Sequence, residues 1–460
     1  MGCKLRDDTI TAICTPAGTG AIGVIRVSGP ESIYVVSSIF KSRTGQDISK
    51  KRRGMYLGCI LEENNRVVDD VIVLVMKSPH SYTGEDVVEI HAHGNMLILR
   101  SIIELLLKKG VRVAGPGEFT KRAFLNGKMD LTQAEAVLDQ ITAKTKKSLE
   151  LSRGILEGHL SKKIYDYSNS MKTILAWVEA IIDFPEEEIP VELWKQSLNQ
   201  LQKTLGDMEQ LLGTSERGKI LREGVVVVIV GKPNVGKSSL FNALLQENRA
   251  IVSPYPGTTR DHLEEYISLR GLPVRLIDTA GLRESSEPVE KEGIERAWKA
   301  VENSYLILFV VDSTNLNKED ITLYESIKNN VDKSVLLVVN KTDLNEKPEI
   351  PQLFSDYAKA IVHTSAKTGL GLEELENKLV SILLGGHEIS EDIVLSHEHQ
   401  KNSLLRAKKC IENCINQRDL SVELIAFELR EALHALGEIT GETATEELLD
   451  IIFSSFCIGK

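Results

Sequence analysis

One motif constrains the fold of this 460-residue chain more than any other feature: Gly231-Lys232-Pro233-Asn234-Val235-Gly236-Lys237-Ser238. It follows the apolar β-type run Val225 to Val230 and precedes a helical pattern that opens at Ser239. Between a buried strand and a helix, this G-x-x-x-x-G-K-[ST] spacing is typical of a phosphate loop. Its glycines let backbone N–H groups close around phosphates, Lys237 reaches the β and γ phosphates, and Ser238 holds Mg²⁺. The motif predicts an α/β P-loop domain.

Three later motifs indicate which base the nucleotide carries. Asp278-Thr279-Ala280-Gly281 follows an apolar strand and is placed to hold the metal through water and to sense the γ-phosphate. In Asn340-Lys341-Thr342-Asp343 the final carboxylate can accept hydrogen bonds from two guanine N–H groups that adenine does not offer. Ser365-Ala366-Lys367 supplies a backbone donor to the guanine carbonyl. The order of the motifs predicts GTP, contacted by Asn234, Val235, Gly236, Lys237, Ser238, Ser239, Asp278, Thr279, Ala280, Gly281, Asn340, Lys341, Asp343, Ser365, Ala366 and Lys367.

The residue after Gly281 leaves the hydrolytic step open. Leu282 stands where Ras-like proteins have a glutamine that orients water. Because leucine cannot orient water, hydrolysis needs a partner arginine, a cation in the arginine-finger position, or a nearby carboxylate. The local carboxylates are Glu284, Glu287, Glu290 and Glu292. The residues themselves do not choose among these devices.

The pattern of helices and strands divides the chain into four stretches. We expect an α+β domain over residues 1–118, helices over 119–219, the α/β block over 220–384 and helices again over 385–460. The short C-terminal helices could not bury their apolar faces alone, so the two helical stretches should pack into one domain. The predicted fold is an α/β P-loop domain inserted into an all-α domain and preceded by an α+β domain.

Charge and cysteine content bear on partners and location. The net charge of −11 argues against binding nucleic acid by bulk electrostatics, so a polyanion such as tRNA would need the local basic clusters at 41–53, 108–122 or 144–147. Each cluster is equally compatible with a solvated surface. Six scattered cysteines indicate a reducing cytosol, and no apolar run approaches the ~20 residues that span a bilayer. We expect a cytoplasmic protein without a membrane segment.

Two groups of possible metal ligands have plainer interpretations. Glu89, His91 and His93 alternate on a predicted strand and share a face, where histidines more often line a pocket or an interface. Cys410 and Cys414 lie one helical turn apart in an apolar stripe. Core packing is favoured for this pair because no further ligand pair sits at zinc spacing.

The C-terminal tail, Cys457-Ile458-Gly459-Lys460, is unexpected in a bare GTPase. A cysteine near a helix end usually fills a small apolar space. Here it neighbours a lysine and the chain terminus, conditions under which a thiol can be reactive. The tail therefore suggests a second chemistry coupled to the nucleotide switch.

Seven further segments resemble the MnmE (TrmE) family of tRNA-modifying GTPases, and together they extend over nearly the whole chain. The N-terminal and C-terminal segments are absent from generic translational GTPases. The segments are Asp8-Thr9-Ile10, Gly23-Val24-Ile25-Arg26-Val27-Ser28-Gly29, Tyr82-Thr83-Gly84-Glu85-Asp86, Pro116-Gly117-Glu118-Phe119-Thr120-Lys121-Arg122-Ala123-Phe124, Gly257-Thr258-Thr259-Arg260-Asp261, Gly437-Glu438-Ile439-Thr440-Gly441-Glu442 and Phe456 to Lys460.

The resemblance implies a cytoplasmic homodimer that joins an FAD-dependent partner, MnmG (GidA), in a heterotetramer. Together the two proteins of that family add an aminomethyl or carboxymethylaminomethyl group to carbon 5 of wobble uridine in tRNA. A 5,10-methylene- or 5-formyl-tetrahydrofolate is implied to bind the N-terminal domain through Arg26, Glu89, Lys128 and Lys460. With the resemblance, Cys457 is predicted to act as a nucleophile or as a structural element of that site.

The resemblance also implies potassium-dependent dimerisation of the P-loop domains. Potassium would be held by Asn234, Ser253, Tyr255 and Thr258, and Thr259 would join Ser238 on Mg²⁺. Glu290 would position water and so replace the missing glutamine as a catalytic residue. The GTP contacts implied in this segment are Ser253, Pro254, Tyr255, Pro256, Gly257, Thr258 and Thr259.

A second function fits the GTP motifs equally well. A regulatory GTPase acting as an assembly switch on ribosomes would use the flanking domains only to bind partners. The residues implied for folate and the C-terminal tail favour the tRNA-modifying enzyme, because a pure switch needs no folate pocket.

Overall fold

Two units, each with its own hydrophobic core, make up the chain. The computed structural model describes residues 8–50, 53–184, 191–248, 264–279, 297–346, 348–386, 393–416 and 421–460. The first unit comprises residues 1–138, 156–201 and 406–460, and the second comprises residues 139–155 and 202–405.

A seven-stranded sheet in the order β3-β4-β5-β6-β2-β1-β7 forms the N-terminal part of the first unit. Only the β1–β7 pair is parallel. The elements are β1 Ile10–Ile13, β2 Gly20–Ser28, α1 Ser32–Ile39, β3 Phe40–Ser42, the 3₁₀ turn Ile48–Lys50, β4 Gly54–Leu61, β5 Val67–Met76, β6 Val87–Gly94, α2 Met96–Lys108 and β7 Arg112–Val113.

Alternation along these strands decides which face of the sheet is buried. In β5, Val71, Val73 and Val75 are buried, and they belong to the same core as residues of α1 and α2. The intervening side chains point to the opposite face. On that face Met55 and Leu57 of β4 remain 65% and 54% exposed. Helices α1 and α2 therefore cover one face of the sheet, whereas the β4 part of the other face stays exposed.

Helices follow almost without interruption. They are α3 Glu118–Leu125, α4 Leu131–Thr142, α5 Lys146–Leu156, α6 His159–Asp183, α7 Val191–Gly213 and α8 Ser215–Glu223. Helix α6 ends at Asp183, two positions before Pro185 in the sequence, in keeping with the tendency of helices to end before a proline.

The second unit contains a six-stranded sheet in the order β13-β12-β11-β8-β10-β9. All pairs are parallel except β9–β10. Strand β8 is an unbroken run of valine and isoleucine, as expected where both faces of a parallel sheet are covered. The elements are β8 Val225–Val230, α9 Lys237–Asn248, β9 Glu264–Leu269, β10 Leu272–Asp278, β11 Leu306–Asp312, α10 Lys318–Asn330, β12 Ser334–Asn340, α11 Gln352–Tyr357, β13 Ala360–His363 and α12 Leu372–Leu383.

Three helices complete the chain: α13 Glu398–Asn416, α14 Val422–Thr440 and α15 Glu446–Ser454. Helix α14 packs along α6, where Arg430 donates to Glu179 at 2.7 Å. Helix α15 shares a core with α4 that includes Leu131 and Phe453. Helices from before and after the P-loop sheet therefore meet, which confirms the predicted insertion into a helical domain. Among the described helices, none combines the length and the apolar composition needed to cross a membrane.

Candidate functional site

The phosphate loop joins β8 to α9 and requires residues that tolerate positive φ. Gly231, Asn234 and Gly236 have φ angles of +156°, +65° and +94°. Asparagine is among the few side chains that adopt this region readily. A Cβ at position 236 would also collide with the side-chain amide of Asn340. Glycine at this position lets the loop turn tightly into the N-terminus of α9, where backbone N–H groups favour anions.

Ser238 and Asp278 lie together at the start of α9. The Ser238 hydroxyl donates to Oδ2 of Asp278 at 2.7 Å, and Asp278 is buried. Hydroxyl and carboxylate oxygens are the hard ligands that suit Mg²⁺. The hydroxyl of Thr279 instead donates to the Ile229 carbonyl at 2.8 Å and so ties β10 to β8.

The predicted base-recognition motifs converge at the ends of β12 and β13. Asn340 Nδ2 donates to the Val235 carbonyl at 2.9 Å, and Asn340 Oδ1 accepts from the Ala366 N–H at 3.0 Å. Ser365 Oγ donates to Oδ1 of Asp343 at 2.7 Å. These bonds join the phosphate loop to both base-recognition motifs, so the asparagine holds three loops in register.

Asp312, at the end of β11, is a site residue that sequence reasoning missed. Its carboxylate accepts from Nζ of Lys341 at 2.6 Å, and the same ammonium donates to the Asn234 carbonyl at 2.7 Å. Burial opposes ionisation of Asp312, but hydrogen bonds from Lys341 and Thr314 outweigh it and lower the pKa of the carboxyl. The only signal in the sequence was an aspartate that ends an apolar strand.

A cavity of about 620 Å³ adjoins these loops. Its polar wall includes Lys237, Ser238, Ser239 and Lys341, and its apolar wall includes Trp298. Pockets of roughly 300–1,000 Å³ are usual for ligands of nucleotide size.

Lys367, the last residue of the predicted motif Ser365-Ala366-Lys367, is exposed.

Several predicted residues lie outside the part of the chain that the structure describes. They are Ser253, Pro254, Tyr255, Pro256, Gly257, Thr258, Thr259, Ala280, Gly281 and Glu290, together with Leu282, Glu284, Glu287 and Glu292.

A separate charged site lies on the open face of the N-terminal sheet, in the first unit. Arg26 on β2 and Glu89 on β6 are directly paired across the strands, with Nε of Arg26 2.8 Å from Oε1 of Glu89. The guanidinium lies over the Tyr82 and Phe119 rings, 5.0 and 5.5 Å from their centroids. Two aromatic faces and a neighbouring carboxylate hold this cation in a defined orientation.

A buried ion network fixes the start of α3 beside that site. The Arg122 guanidinium, only 3% exposed, contacts carboxylate oxygens of Asp8 at 2.6 Å and of Glu85 and Glu118 at 3.2 Å. Arg112 contacts Glu118 at 2.6 Å. Burial works against ionisation of Glu118, but its hydrogen bonds from Arg112 and the Gly115 N–H lower the pKa of the carboxyl.

The C-terminal tail docks against α3 and β1. The Phe119 N–H donates to the Lys460 carbonyl at 3.1 Å, and the Gly117 N–H donates to the Cys457 carbonyl at 3.4 Å. Gly459 has φ of +101°, and a Cβ there would lie 2.5 Å from the Ile13 carbonyl oxygen. The tail therefore occupies a narrow groove that only glycine can enter at this position.

Cys14 is a second residue that sequence reasoning did not single out. Its Sγ lies 3.1 Å from the Gly459 carbonyl oxygen, across 445 positions of sequence. Burial raises the pKa of the thiol, despite the opposing charges of Arg26 and Lys460. Cys14 is therefore a protonated donor that anchors the tail, whereas Cys457 itself is exposed.

The other predicted residues have local partners. Lys128 Nζ donates to the Pro79 carbonyl at 3.0 Å, on the loop that also carries Tyr82. His93 Nδ1 lies 2.7 Å from Asp69, whose hydrogen bond raises the pKa of the imidazole.

Cys410 and Cys414 pack in the helical part of the first unit, as expected from their spacing. Cys414 is 2% exposed. Burial, reinforced by the charge of Glu428, raises the pKa of both thiols to about 12. Both thiols are therefore protonated at neutral pH, as is usual for cysteines packed among apolar side chains.

The doubly covered parallel sheet, its phosphate loop and the converging guanine motifs define a P-loop GTPase. Its first domain matches the family model described as "GTP-binding protein TrmE N-terminus" over residues 9–128. A second family model, "MnmE helical domain", matches residues 131–457. The chain belongs to the MnmE (TrmE) family of tRNA modification GTPases, as its motifs predicted.

Full-length relatives agree with this assignment. A tRNA modification GTPase MnmE from Natranaerobius thermophilus is 46% identical over 465 aligned residues, which cover 99% of this chain and 100% of the relative. The protein of that name from Clostridioides difficile is 43% identical, with 99% of each chain covered. Among solved structures, the G domain of the FeoB iron transporter of T. maritima is 34% identical over 34% of this chain and 97% of that one, with a TM-score of 0.27.

Proposed function

We propose that this GTPase acts in the cytoplasm on the wobble uridine of tRNA. With an FAD-dependent MnmG (GidA) partner in a heterotetramer, it adds an aminomethyl or carboxymethylaminomethyl group to carbon 5, drawing the carbon from a tetrahydrofolate. The observation that carries this proposal is the docking of the C-terminal tail beside the Arg26–Glu89 pair. A GTPase that only switches between states has no use for such a second site.

The Arg26–Glu89 site suits a folate in its chemistry. The Glu89 carboxylate can accept hydrogen bonds from the amino and ring N–H groups of a pterin. The rings of Tyr82 and Phe119 hold the Arg26 guanidinium beside this carboxylate. Lys128 and Lys460 offer positive charge to the anionic end of the ligand. When bound, tetrahydrofolate supplies the one-carbon unit. The residues of this chain bind and orient the folate, and Cys457 acts either as a nucleophile or as a structural part of the folate site.

The open face of the N-terminal sheet supports the proposed homodimer. Register places Met55 opposite Leu74 and Leu57 opposite Ile72, so these apolar side chains share a face. Leu74 in turn pairs with Glu89, so the proposed folate site would lie on the same face. An exposed apolar sheet face with a functional site at its centre is the kind of surface that a second copy covers.

For GTP hydrolysis we propose a bound potassium ion in the place of an arginine finger. Asn234, with Ser253, Tyr255 and Thr258, would hold the ion beside the phosphates, and Thr259 would join Ser238 on Mg²⁺. A fixed cation stabilises the charge that develops on the transferred phosphoryl group. Glu290 would position the attacking water, the role that Leu282 cannot fill.

Replacing Asn234 by glycine tests the potassium site. Glycine keeps the positive φ of this position but removes the candidate ligand oxygen. We expect kcat in KCl to fall to its value in NaCl while GTP affinity changes little, since the backbone and Lys237 contacts remain. Steady-state hydrolysis in the two salts measures this, with Asn234→Asp as the control that retains an oxygen ligand. Undiminished stimulation by KCl in Asn234→Gly would remove Asn234 from the site.

The proposed function as a whole is tested by mass spectrometry of tRNA nucleosides. Cells lacking the chain should lose the modified wobble uridine and recover it when the wild-type gene is returned. Complementation with Cys457→Ser then separates the two roles of the thiol: recovery identifies a structural role, and failure a chemical one. Normal wobble uridine in the deletion strain would instead favour the ribosome-associated switch.

A further inference from the structure

Lys232, the second residue of the phosphate loop, has its charged end drawn away from the nucleotide cavity. Its Nζ lies 2.8 Å from Oδ2 of Asp320 and donates to Oδ1 of Asn317 at 2.7 Å. The lysine side chain is 14% exposed, and the Asp320 side chain is fully buried. Both acceptors belong to the start of α10, so this one side chain ties the loop to a neighbouring helix.

The helix terminus that receives Lys232 is itself rigid. Asn317 caps α10 by accepting from the Glu319 N–H at 3.0 Å, while Asp320 accepts from the Asn317 N–H at 3.0 Å. This reciprocal capping box satisfies two backbone donors that the helix leaves open. Oδ1 of Asp320 is buried and has no hydrogen-bond partner among the described residues. The lysine ammonium and the Asn317 N–H therefore share the compensation of this buried carboxylate.

The backbone of Lys232 performs a different task. Its carbonyl oxygen accepts from Nζ of Lys237 at 2.5 Å. Lys237 is the residue assigned to the β and γ phosphates. Lys232 thus contacts the Lys237 ammonium through its carbonyl oxygen and the start of α10 through its side chain.

We propose that the Lys232–Asp320 pair is a positioning device for the phosphate-binding lysine. The buried carboxylate anchors Lys232, and the anchored carbonyl aims Lys237 into the phosphate cavity before nucleotide arrives. This inference rests on the proposed role of Lys237 in binding phosphate. Pre-organisation of this kind improves affinity by reducing the ordering that binding otherwise requires.

Lys232→Met is the decisive variant, because methionine keeps much of the chain length and removes the charge. The dissociation constant of a fluorescent GDP analogue is measured on the full-length protein, below the melting temperature of every variant. We expect an increase of about tenfold, because the loop is then no longer held in the phosphate-binding arrangement and has to be ordered when the nucleotide binds. Lys232→Arg, which restores the positive charge, should return affinity to within about threefold of wild type.

Glu319→Gln is the matched control on the same helix. Its carboxylate lies 3.9 Å from Nζ of Lys232 but is 81% exposed. An exposed pair at that distance contributes little, so affinity should stay within about twofold of wild type. If Lys232→Met does not fold, Asp320→Asn removes the same charge pair and should weaken GDP binding in the same direction.

Two outcomes separate this inference from the nucleotide-site assignment. Lys237→Met should abolish measurable GDP binding, and if it does not, the proposed site itself fails. If Lys237→Met abolishes binding but folded Lys232→Met and Asp320→Asn both bind GDP like wild type, the positioning role is overturned. A lower melting temperature of these two variants with unchanged GDP affinity would show that the pair contributes only to stability, by attaching the phosphate loop to α10.

Discussion

Asp343→Asn is expected to convert the base preference of this GTPase from guanine to xanthine. A carboxylate accepts hydrogen bonds from the N1–H and the exocyclic amine of guanine, whereas an amide presents a donor to one of them. Xanthine carries a carbonyl in place of the amine and can accept from that donor. Hydrogen bonds to charged groups contribute about 1.5–3 kcal/mol each, so GDP affinity should fall by roughly a hundredfold or more.

The geometry around Asp343 supplies the control for this experiment. Ser365 donates to Oδ1 of the carboxylate at 2.7 Å and orients it. Ser365→Ala keeps the carboxylate and should weaken binding of GDP without changing the preferred base. Dissociation constants for GDP and XDP, measured on Asp343→Asn and Ser365→Ala, test both expectations. An Asp343→Asn protein that still prefers GDP would overturn the base-recognition assignment.

Gly459→Val is expected to undock the C-terminal tail and abolish the proposed wobble-uridine modification while leaving GTP hydrolysis intact. The backbone at Gly459 has φ of +101°, and a Cβ would lie 2.5 Å from the Ile13 carbonyl oxygen. Holding a β-branched residue in such a conformation costs about 1–3 kcal/mol before the collision is counted. Each hydrogen bond of the tail contributes only about 1 kcal/mol, so strain and docking energies are of similar size.

Undocking should displace Lys460 and release the hydrogen bond from Cys14. Binding of 5-formyl-tetrahydrofolate, measured by calorimetry, is then expected to weaken by about tenfold or more. Gly110→Val is the matched control: its φ is +87°, but no atom lies within 4 Å of the added Cβ. It carries the conformational strain without the collision, so folate binding and modification should persist. Full modification in Gly459→Val cells would show that the docked tail is dispensable.

The GTPase part of this protein was predictable because its determinants are local. The phosphate loop needs glycine at Gly236 and lysine at Lys237 within a few residues, between a strand and a helix whose patterns are visible in the sequence. The family resemblance extended that prediction to the flanking domains, which match the two family models over residues 9–128 and 131–457. Helix α14 meeting α6 confirms that the P-loop domain is an insertion.

The contacts that complete each site were not predictable in the same way. Asp312 pairs with Lys341 across two neighbouring strands, and Lys232 pairs with Asp320 across 88 positions of sequence. Neither pairing produces a periodic pattern or a motif in the sequence. A charged residue that forms a buried pair therefore cannot be told from one on the solvated surface by sequence alone. Burial distinguishes them, and burial is a property of the assembled sheet and helices.

The sequence by itself determined the P-loop fold, the identity of the nucleotide and the family. These rest on contiguous motifs whose chemistry depends on short-range backbone geometry. Only the tertiary structure decided that the Cys14 thiol donates to the Gly459 carbonyl and that the tail lies beside Arg26 and Glu89. The same is true of the contact between Lys232 and Asp320 at the start of α10. Such contacts join residues that lie far apart in the sequence, and they form only when packing brings their polar atoms together and excludes water.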